Sequence, residues 1–550
     1  MSKNLSSLSG RKGMNFNLFE ELGIAAEERG APDTETMERL RKEFLFGKAA
    51  VYGAASFYDF LKKENAGKKV FWCNGSACMT AGTQHAVREE LEKNFHKDEI
   101  GEICCLGRCY ENGAVQYKNQ NFSGLPNGEI ADSLKKEKPK SDYYRVAHKG
   151  TPVLTADYGD TISYYHIFEK ALKMSPGDLL KELKVSNLRG RGGAGFPIAF
   201  KLESCKNVSG EQKFIVCNAD EGDPGAYSDR YIMEQRPHSL LMGMLISGFI
   251  VGADWGVLYI RAEYPESVKI INDAISELES LGLCGENILG SGFDFYFKAV
   301  KAQGSYVCGE ETALLSSLEG QRPEVRIRPP YPTEKGLFNM PTVVNNVETL
   351  AAIPYIIEHG GNAYASIGRP PSTGTKLLSV DGFFNQAGVY EVDMGTPLTE
   401  LIYEMAGGFR KPVKALHIGG PLGGLVPVSK IKDLSIDFES FYENGFLLGH
   451  ASIICIPEDY PMVDYIQHLF EFTSHESCGK CFPCRLGAKR GAEMLEKASA
   501  GEYQIDKELM NDLLETLETG SLCALGGGLP LPIKNALQYF DSELSPYFKS

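Results

Sequence analysis

The spacing of hydrophobic and polar residues alternates along the chain between two patterns. Apolar residues three and four positions apart predict amphipathic helices over 34–46 (TETMERLRKEFLF), 488–501 (AKRGAEMLEKASAG) and 507–520 (KELMNDLLETLETG). Asp33 or Thr34 is the expected N-cap of the first of these helices. Short apolar runs predict strands in KKVFWC, KFIVCN, WGVLYIRAEY, KLLSVDGF, GVYEVD and KALHIGG. The mixture predicts a multidomain protein of the α/β and α+β classes.

The order of these elements divides the chain into six parts. A lysine-rich polar stretch, NGEIADSLKKEKPKSDYY, and the turn-rich segment GRPPSTGTK mark two of the boundaries. The predicted parts are a helical N-terminal segment (1–65), a small α/β domain (66–126), a linker (127–145), a large α/β domain (146–365), a small β-rich domain (366–460) and a helical C-terminal domain (461–550).

Composition and charge restrict the possible functions. With 550 residues, 43% hydrophobic and 23% charged, the chain has the make-up of a folded multidomain protein. A net charge of −15 argues against nucleic-acid binding, which requires basic surfaces. The longest uncharged apolar run, 239–253, is shorter than the ~20 residues of a membrane span and predicts a buried core element. The N-terminus lacks the apolar stretch of a secretory signal, so we expect a cytoplasmic location.

The 14 cysteines fall mainly into two groups. In a cytoplasmic protein they are not expected to form disulfides, because the cytosol keeps thiols reduced. Five cysteines lie outside the groups in mostly apolar surroundings and are expected to be small core residues: Cys205, Cys217, Cys284, Cys308 and Cys455.

The C-terminal group has the spacing of an iron–sulfur site. Cys478, Cys481 and Cys484 form C-x2-C-x2-C, and Cys523 follows downstream. Three closely spaced thiolates with a distant fourth are typical of 4Fe–4S ligation. Structural zinc is the alternative, although it usually uses two separated cysteine pairs or includes histidines. His475 is expected to lie at the surface or behind the ligands.

The N-terminal group also supplies four thiols. Cys73 and Cys78 form C-x4-C, and Cys105 and Cys109 follow as C-x3-C. Four thiolates suit a 2Fe–2S cluster, with zinc again as the alternative. Cys104 is an extra thiol, and its side chain should point away from the cluster if this segment is extended.

A glycine-rich segment, LRGRGGAGFPIAFK, contains Gly190, Gly192 and Gly195 in the spacing G-x-G-x-x-G. That spacing binds dinucleotides when it follows a strand and begins a helix. Here the preceding residues, PGDLLKELKVSN, have helical spacing instead. The segment therefore does not predict a Rossmann turn. The bare backbone before Lys201 either binds a different ligand or forms a structural loop.

Polar residues cluster directly after several of the predicted strands. Carboxylates at strand ends can accept hydrogen bonds from ribose hydroxyls, as they do in NAD sites. The clusters predict a cleft for a ligand rich in hydroxyl and ring N–H groups, although each acid alone is more often a solvated surface charge. Their members are Asn218, Asp220, Glu221 and Asp223 in the first cluster, Tyr306, Glu310 and Glu311 in the second, and Asn345 and Asn346 in the third.

The motifs LRGRGGAGFP, NADEGDPGA, GEETALLSSLEG, NNVET and HESCGKCFPCR together resemble a known family. It comprises the FMN-binding, NADH-oxidising subunit of respiratory complex I and its relatives in NAD-linked hydrogenases, including electron-bifurcating ones, and in NAD-dependent formate dehydrogenases. AVYGAASFYDF, CNGSAC and CLGRC resemble the thioredoxin-like 2Fe–2S subunit of the same complexes, here fused ahead. Asp223 stands where the complex I subunit usually has glutamate, which is closer to the hydrogenase and formate dehydrogenase branch.

The resemblance implies the identity of each part. Residues 66–126 would form a thioredoxin-like 2Fe–2S domain, 146–365 an α/β FMN/NADH-binding domain whose nucleotide site is not of the Rossmann type, 366–460 a soluble-ligand-binding β-grasp domain, and 461–550 a helical bundle holding the 4Fe–4S cluster. The sequence departs from the family at FPIAFKL, where FPTGLKW is usual, and at Arg328, where lysine is common.

The resemblance also assigns the cofactor-binding residues. Flavin contacts carry over to Gly190, Gly192, Lys201, Asn218, Asp220, Tyr306, Glu310, Asn345 and Asn346, with Arg191, Gly193 and Glu221 in the same segments. Nucleotide contacts carry over to Phe196, Asp223, Glu311, Arg328 and Tyr331. The flavin supplies the chemistry, so no side chain is assigned as catalytic, although Glu221 and Glu311 would lie nearby.

The implied activity is that of an NAD(H) oxidoreductase with FMN, one 4Fe–4S and one 2Fe–2S cluster. Hydride would pass between NAD(H) and FMN, and single electrons through the clusters. Expected partners are a hydrogenase or formate dehydrogenase catalytic subunit, a small iron–sulfur subunit and, as a further candidate, ferredoxin. The clustered acids favour NAD, because they would repel the 2′-phosphate of NADPH. The alternatives are a complex I-type NADH dehydrogenase module, a flavin-free electron relay and a zinc-dependent interaction module.

Overall fold

The computed structural model describes residues 5–126, 128–137 and 142–549. The predicted linker, 127–145, includes residues 127 and 138–141, which lie outside the described residues.

The N-terminal helices pack onto the core of the large central domain. They are α1 (Leu5–Ser9), α2 (Leu18–Arg29), α3 (Thr34–Phe44) and α4 (Lys48–Ala55). Asp33 accepts a hydrogen bond from the Thr36 backbone N–H, which confirms the predicted N-cap of α3. Phe19 of α2 is fully buried against Tyr259, and the Asn17 amide donates to the Leu318 carbonyl at 2.6 Å. These helices are therefore part of a shared core.

The first sheet holds the N-terminal cysteines. Its strands β1 (Val70–Cys73), β2 (Ile100–Ile103), β3 (Val115–Tyr117) and β4 (Gln120–Phe122) have the order β2-β1-β3-β4, with β1 and β2 parallel and the other pairs antiparallel. Helices α5 (Ser76–Thr80), α6 (Gln84–Asn94) and α7 (Ile130–Lys136) accompany it. The strand predicted in KKVFWC is β1, and it ends at Cys73.

The chain then forms strand β5 (Arg145–Lys149) and the helices α8 (Thr161–Tyr164), α9 (His166–Leu172), α10 (Pro176–Ser186) and α11 (Ile198–Asn207). The central sheet follows, with β6 (Phe214–Ala219), β7 (Trp255–Ile260), β8 (Tyr296–Lys301) and β9 (Thr342–Asn346) all parallel in the order β8-β7-β6-β9. Parallel strands end at a common edge, so Asn218 on β6 and Asn346 on β9 lie beside each other there.

Helices surround the central sheet. They are α12 (Ser228–Gln235), α13 (Pro237–Val251), α14 (Pro265–Ser280), α15 (Glu311–Leu318), α16 (Pro332–Lys335), α17 (Val347–Ala351), α18 (Ile353–His359) and α19 (Gly361–Ala365). The apolar run 239–253 lies almost wholly in α13, whose residues are buried except Phe249, which confirms the predicted core element. No helix within the described ranges is long and apolar enough to cross a bilayer.

The third sheet has six strands. A small hairpin, β10 (Gly368–Arg369) and β11 (Ser372–Thr373), precedes β12 (Thr375–Val380), β13 (Gly388–Asp393), β14 (Val413–Ile418), β15 (Gly424–Pro427), helix α20 (Phe438–Glu443) and β16 (Ser452–Pro457). The sheet order is β15-β14-β16-β12-β13-β5. Strand β5 thus pairs in parallel with β13, although more than 230 residues separate them. Its residues, RVAHK, are mostly exposed and lack apolar alternation, so no pattern in the sequence indicates this strand.

The C-terminal region is helical, as predicted. Its helices are α21 (Met462–Glu476), α22 (Ala488–Ser499), α23 (Lys507–Gly520), α24 (Ala524–Gly527), α25 (Pro530–Tyr539) and α26 (Asp541–Leu544). The predicted helices 488–501 and 507–520 are α22 and α23. Ile466, Leu495 and Leu514 are fully buried between α21, α22 and α23.

Candidate cofactor and cluster sites

The glycine segment forms a loop between two helices. It follows α10 and leads into α11, so the predicted absence of a strand before it is confirmed. The Gly190 N–H donates to the Phe196 carbonyl at 2.8 Å and closes the loop. Gly193 has φ +118°, a conformation that L side chains rarely adopt, and a Cβ there would lie 3.6 Å from Gly449. The loop therefore presents bare backbone because its path needs glycine.

Arg191 anchors this loop from behind. Its guanidinium is buried and donates to the Thr373 carbonyl at 2.6 Å and to the Tyr364 hydroxyl at 3.2 Å. Its backbone N–H donates to the Thr349 hydroxyl at 2.8 Å. The side chain thus ties the loop to β11 and α19, and the backbone ties it to α17.

Two predicted polar residues at the edge of the central sheet have unsatisfied buried atoms. The Asn218 amide is occupied, because it donates to the Gly309 carbonyl at 2.7 Å. In contrast, Asp220 Oδ2 and Asn345 Nδ2 are buried without a partner among the residues that the structure describes. Burial raises the pKa of the Asp220 carboxyl well above its usual value. A buried acceptor and donor without partners fit a polar ring with its own donors and acceptors.

Two acidic and two basic residues from the predicted set meet at the start of α15. Lys201 donates to Glu311 at 3.0 Å and to the Val344 carbonyl at 3.1 Å. Arg328 donates to the other oxygen of Glu311 at 2.8 Å and lies 3.3 Å from Glu310. Glu310 also caps α15 through the backbone N–H groups of its first turn. Four residues that are up to 127 positions apart in sequence are thus neighbours.

Tyr306 links the acidic segment to the C-terminal helices. Its hydroxyl donates to Asp223 at 2.7 Å, and its backbone N–H donates to Glu476 at 2.8 Å. Its ring packs edge-on against Phe472 with centroids 4.9 Å apart. Burial raises the pKa of the Asp223 carboxyl, although the Tyr306 hydroxyl opposes that change.

The two predicted aromatic contacts are exposed. Phe196 is 44% exposed and packs edge-on against Phe200, and Tyr331 is 55% exposed. Large rings left open to solvent can stack on a planar ligand.

The motifs did not identify two residues behind the glycine loop, Asp229 and His450. Asp229 Oδ2 accepts from Asn346 at 2.6 Å and lies 3.1 Å from His450 Nε2. Glu221 accepts from the backbone N–H groups of Asp229 and Arg230 at 2.8 and 3.0 Å, at the start of α12. Burial raises the pKa of the Glu221 carboxyl to about 7. Asp229 could have been suspected from its place shortly after the acidic motif, whereas no sequence signal marks His450.

The four N-terminal cysteines converge in one buried place. Cys73 ends β1, Cys78 lies on α5, and Cys105 and Cys109 lie on the loop after β2, where their sulfur atoms are 3.3 Å apart. Hydrogen bonds from the neighbouring thiols of Cys109 and Cys73 lower the pKa of Cys105. A hydrogen bond with Cys73 also lowers the pKa of Cys78. Four converging thiols suit metal–sulfur ligation.

The central domain contacts this loop directly. The Gly225 N–H donates to Cys109 Sγ at 3.3 Å. Arg261, fully buried at the end of β7, donates to the Glu221 carbonyl at 2.7 Å and to the Cys104 carbonyl at 2.9 Å. The extra thiol of Cys104 packs against the apolar cluster that contains the C-terminal cysteines.

The four C-terminal cysteines also converge. Cys478, Cys481 and Cys484 lie between α21 and α22, and Cys523 precedes α24, all within one apolar cluster. Burial raises the pKa of Cys484 to about 11 and that of Cys523 to about 12. Such thiols ionise when a metal replaces the proton, so the set fits a metal centre. His475 is 63% exposed on its side chain.

Three protein-family models match this chain. The "Nuo51 FMN-binding domain" matches residues 183–355, the "NADH-ubiquinone oxidoreductase-F iron-sulfur binding region" matches 464–547, and the "Thioredoxin-like [2Fe-2S] ferredoxin" matches 8–138. These matches confirm the predicted FMN, 4Fe–4S and 2Fe–2S cofactors, and they favour iron–sulfur clusters over zinc at both cysteine groups.

Similar proteins and structures agree with the family models. The "NADP-reducing hydrogenase subunit HndC" of Solidesulfovibrio fructosivorans is 42% identical over 69% of this chain and 78% of its own. A subunit of the NADH-quinone oxidoreductase of Aquifex aeolicus is 42% identical over 70% of this chain and 89% of its own. A crystal structure of an NAD+-reducing [NiFe]-hydrogenase superposes with a TM-score of 0.84 and 26% identity, over 96% of this chain and 93% of that one. The predicted multidomain fold class is confirmed.

Proposed function

The chain belongs to the family that contains this NADH-quinone oxidoreductase subunit and the related hydrogenase subunits, and we propose that it moves hydride between NAD(H) and FMN. Single electrons then pass through its iron–sulfur clusters to other subunits. One observation above all supports the proposal: the polar edge of the central sheet lies between the two cysteine groups. Tyr306 joins Asp223 there to Glu476, which lies next to the C-terminal cysteines, and Gly225 contacts Cys109.

We assign the flavin to the edge of the central sheet beside the glycine loop. Asp220 Oδ2 and Asn345 Nδ2 are both buried without a partner among the described residues. Donor and acceptor atoms of the flavin ring would pair with them, and this supports the assignment. Asn218, Asn346, Tyr306, Glu310 and Lys201 lie around them. FMN, when bound, accepts a hydride and releases electrons one at a time. The protein's part is to bind, orient and shield it.

We assign the nucleotide to the more exposed side of the same edge. Phe196 and Tyr331 offer aromatic faces to a base, and Glu311 and Asp223 can accept from ribose hydroxyls. Arg328 is held beside Glu311 and Glu310, so its positive charge is partly neutralised. Arg328 would therefore add little to the binding of the 2′-phosphate of NADP(H). This favours NAD(H) over NADP(H), although the HndC relative is named as NADP-reducing. Initial rates with both nucleotides at equal concentration decide the preference.

We assign the clusters to the two cysteine sets. The 4Fe–4S ligands would be Cys478, Cys481, Cys484 and Cys523, and the 2Fe–2S ligands Cys73, Cys78, Cys105 and Cys109. The convergence of each set supports the assignment.

The test uses the anaerobically purified full chain. We expect bound FMN, iron and sulfide, bleaching of the flavin absorbance by NADH, and NADH-driven reduction of viologen or ferricyanide. A brown protein that holds both clusters but neither binds FMN nor is reduced by NADH would be a flavin-free relay, and the proposal would fail.

The relatives are subunits of multisubunit redox enzymes, and we propose that this chain also works in such a complex, in the cytoplasm. Its partner would be a hydrogenase or formate dehydrogenase catalytic subunit, with ferredoxin as a further acceptor if electrons are bifurcated. Affinity purification from the native cell, followed by viologen reduction with hydrogen or with formate, identifies the partner. A complex active with quinone alone would favour the complex I-type alternative.

A further inference from the structure

A buried cluster of three charged residues joins the central domain to the third sheet. His450, two residues before β16, places Nε2 3.1 Å from Asp229 Oδ2 and 3.8 Å from Glu221 Oε1. All three side chains are at least nine-tenths buried. Asp229 in turn accepts from the amide of Asn346, which belongs to the proposed flavin contacts. His450 therefore reaches the flavin edge through one intervening side chain.

One positive charge lies between two acidic groups in this cluster. Burial alone would lower the pKa of His450, but the carboxylates of Asp229 and Glu221 outweigh it and raise that pKa to about 9. The histidine is thus an imidazolium at neutral pH. The other charged groups that face it are Asp223, whose carboxyl it stabilises, and Lys376, which is occupied by a buried ion pair with Glu348.

Two atoms of the cluster remain unsatisfied. Within the described part of the chain, Asp229 Oδ1 and His450 Nδ1 are buried without a hydrogen-bond partner. The Gly193 backbone lies close by, since a Cβ there would come 3.8 Å from the His450 backbone nitrogen. The cluster therefore lies directly behind the glycine loop.

We propose that His450 is a positioning residue of the flavin site: its imidazolium offsets part of the negative charge of Asp229 and Glu221 and so holds the Asn346 amide in place for FMN. The proposal rests on the proposed function. It makes the third sheet a contributor to flavin binding, because two uncompensated carboxylates behind Asn346 would repel each other and disturb its orientation.

The test is the affinity of the deflavinated, cluster-containing protein for FMN, measured by quenching of FMN fluorescence across the pH range. In the unmodified protein we expect affinity to fall as pH rises through about 9, where His450 loses its proton. His450→Gln should weaken FMN binding about tenfold or more at about pH 8, where the unmodified protein still carries the imidazolium and the variant has lost its positive charge. It should also move the fall in affinity to lower pH, because the step then follows ionisation of Glu221, and affinity should recover as pH falls and that carboxyl takes up a proton.

The double variant Asp229→Asn/His450→Gln separates charge from folding. It removes one positive and one negative charge together, so FMN affinity should return to within about threefold of the unmodified protein. His417→Gln is the matched control. His417 is a buried histidine of the same sheet, but its pKa is lowered to about 4 by burial, so the variant removes no charge.

The outcomes are distinct. Unmodified protein that does not bind FMN would refute the proposed function itself. Normal binding by the unmodified protein, together with unchanged affinity and pH profile in His450→Gln, would refute only the role of His450. A double variant as weak as His450→Gln would refute it too, because neutralisation would then not be the cause.

Discussion

At the residue scale, Tyr306 contacts an acid of the proposed nucleotide site directly. Its hydroxyl donates to Asp223, a carboxyl whose pKa burial already raises. The Asp223 carboxyl must be ionised to accept from a ribose hydroxyl, so the contribution of the Tyr306 contact to nucleotide binding depends on pH.

Tyr306→Phe should therefore raise the KM for NADH several-fold, with a smaller change in kcat. Without the hydroxyl the pKa of Asp223 rises further, so the increase in KM should become larger as pH falls. Steady-state kinetics at a series of pH values measure this increase. Tyr58→Phe is the control, because Tyr58 is also a buried tyrosine but donates to the Gln321 carbonyl instead. An equal change in both variants would contradict the role of Tyr306.

Cys523 supplies the one proposed 4Fe–4S ligand from outside the C-x2-C-x2-C motif. Cys523→Ala should leave three thiols and lose the cluster, which removes roughly two thirds of the bound iron. Iron analysis and electron paramagnetic resonance of the reduced protein check this. Cys205→Ala, at a buried cysteine outside both groups, should keep all the iron. Full iron content in the Cys523 variant would rule out this ligand.

The sequence could predict residues that lie together in one motif but not those that meet across domains. The cysteines of the two groups and the acids after β6 and β8 stand out in the sequence because most of them lie in short motifs, with Cys523 as the exception. His450 and Asp229 are 221 positions apart, and their pairing exists only because the third sheet packs against the central domain. Arg261 was missed for the same reason, since its partners at Cys104 and Glu221 lie in separate segments.

At the element scale, helix α13 shows how closely the central domain is packed. Its hydrophobicity runs around the whole helix, and it is buried almost entirely. Gly243 lies where α13 crosses α17, and a Cβ there would overlap the Leu350 carbonyl oxygen. The crossing therefore depends on a missing side chain, which hydrophobic patterning alone does not indicate.

Gly243→Ala should destabilise the protein by about 1–3 kcal/mol, because backbone rather than a flexible side chain must move. Gly53→Ala, in α4, is the control. No atom lies within 4 Å of its Cβ position, so alanine there should stabilise the helix by about 0.5–1 kcal/mol. Thermal unfolding of both variants measures the difference, and equal midpoints would contradict the packing argument.

The strands predicted from the sequence are mostly buried, whereas the exposed strand β5 was not predicted. The predicted strands of the central sheet have continuous apolar runs because helices and loops cover both faces. Strand β5 lies at the edge of the third sheet, and its side chains are mostly exposed. Its pairing with β13 depends on backbone hydrogen bonds, which do not require apolar and polar residues to alternate along the strand.

At the scale of the whole molecule, buried acids make stability depend on pH. Asp381 in the third sheet is fully buried, and burial raises its pKa from 3.8 to about 7. Because the folded state holds this proton more tightly than the unfolded state, its contribution is complete below pH 3.8 and is lost as pH rises to about 7.

Asp381→Asn should therefore remove this pH-dependent loss. Between about pH 4 and 7, the free energy of unfolding should fall by a few kcal/mol less in the variant than in the unmodified chain. Urea unfolding at a series of pH values measures the slope. Asp433→Asn, at a more exposed acid of the same region, should leave the slope unchanged. Parallel slopes for Asp381→Asn and the unmodified chain would contradict the prediction.

The enclosure of the N-terminal cysteines constrains how the molecule matures. Cys73, Cys78, Cys105 and Cys109 are each at most 3% exposed, and the Gly225 contact to Cys109 closes over them from the central domain. Iron and sulfide must therefore be delivered before these two regions dock. Because the N-terminal region leaves the ribosome first, that interval exists during synthesis. Scaffold proteins supplying iron would have to act on the nascent chain, whereas the partly exposed Cys481 and Cys523 leave the second centre open to later loading.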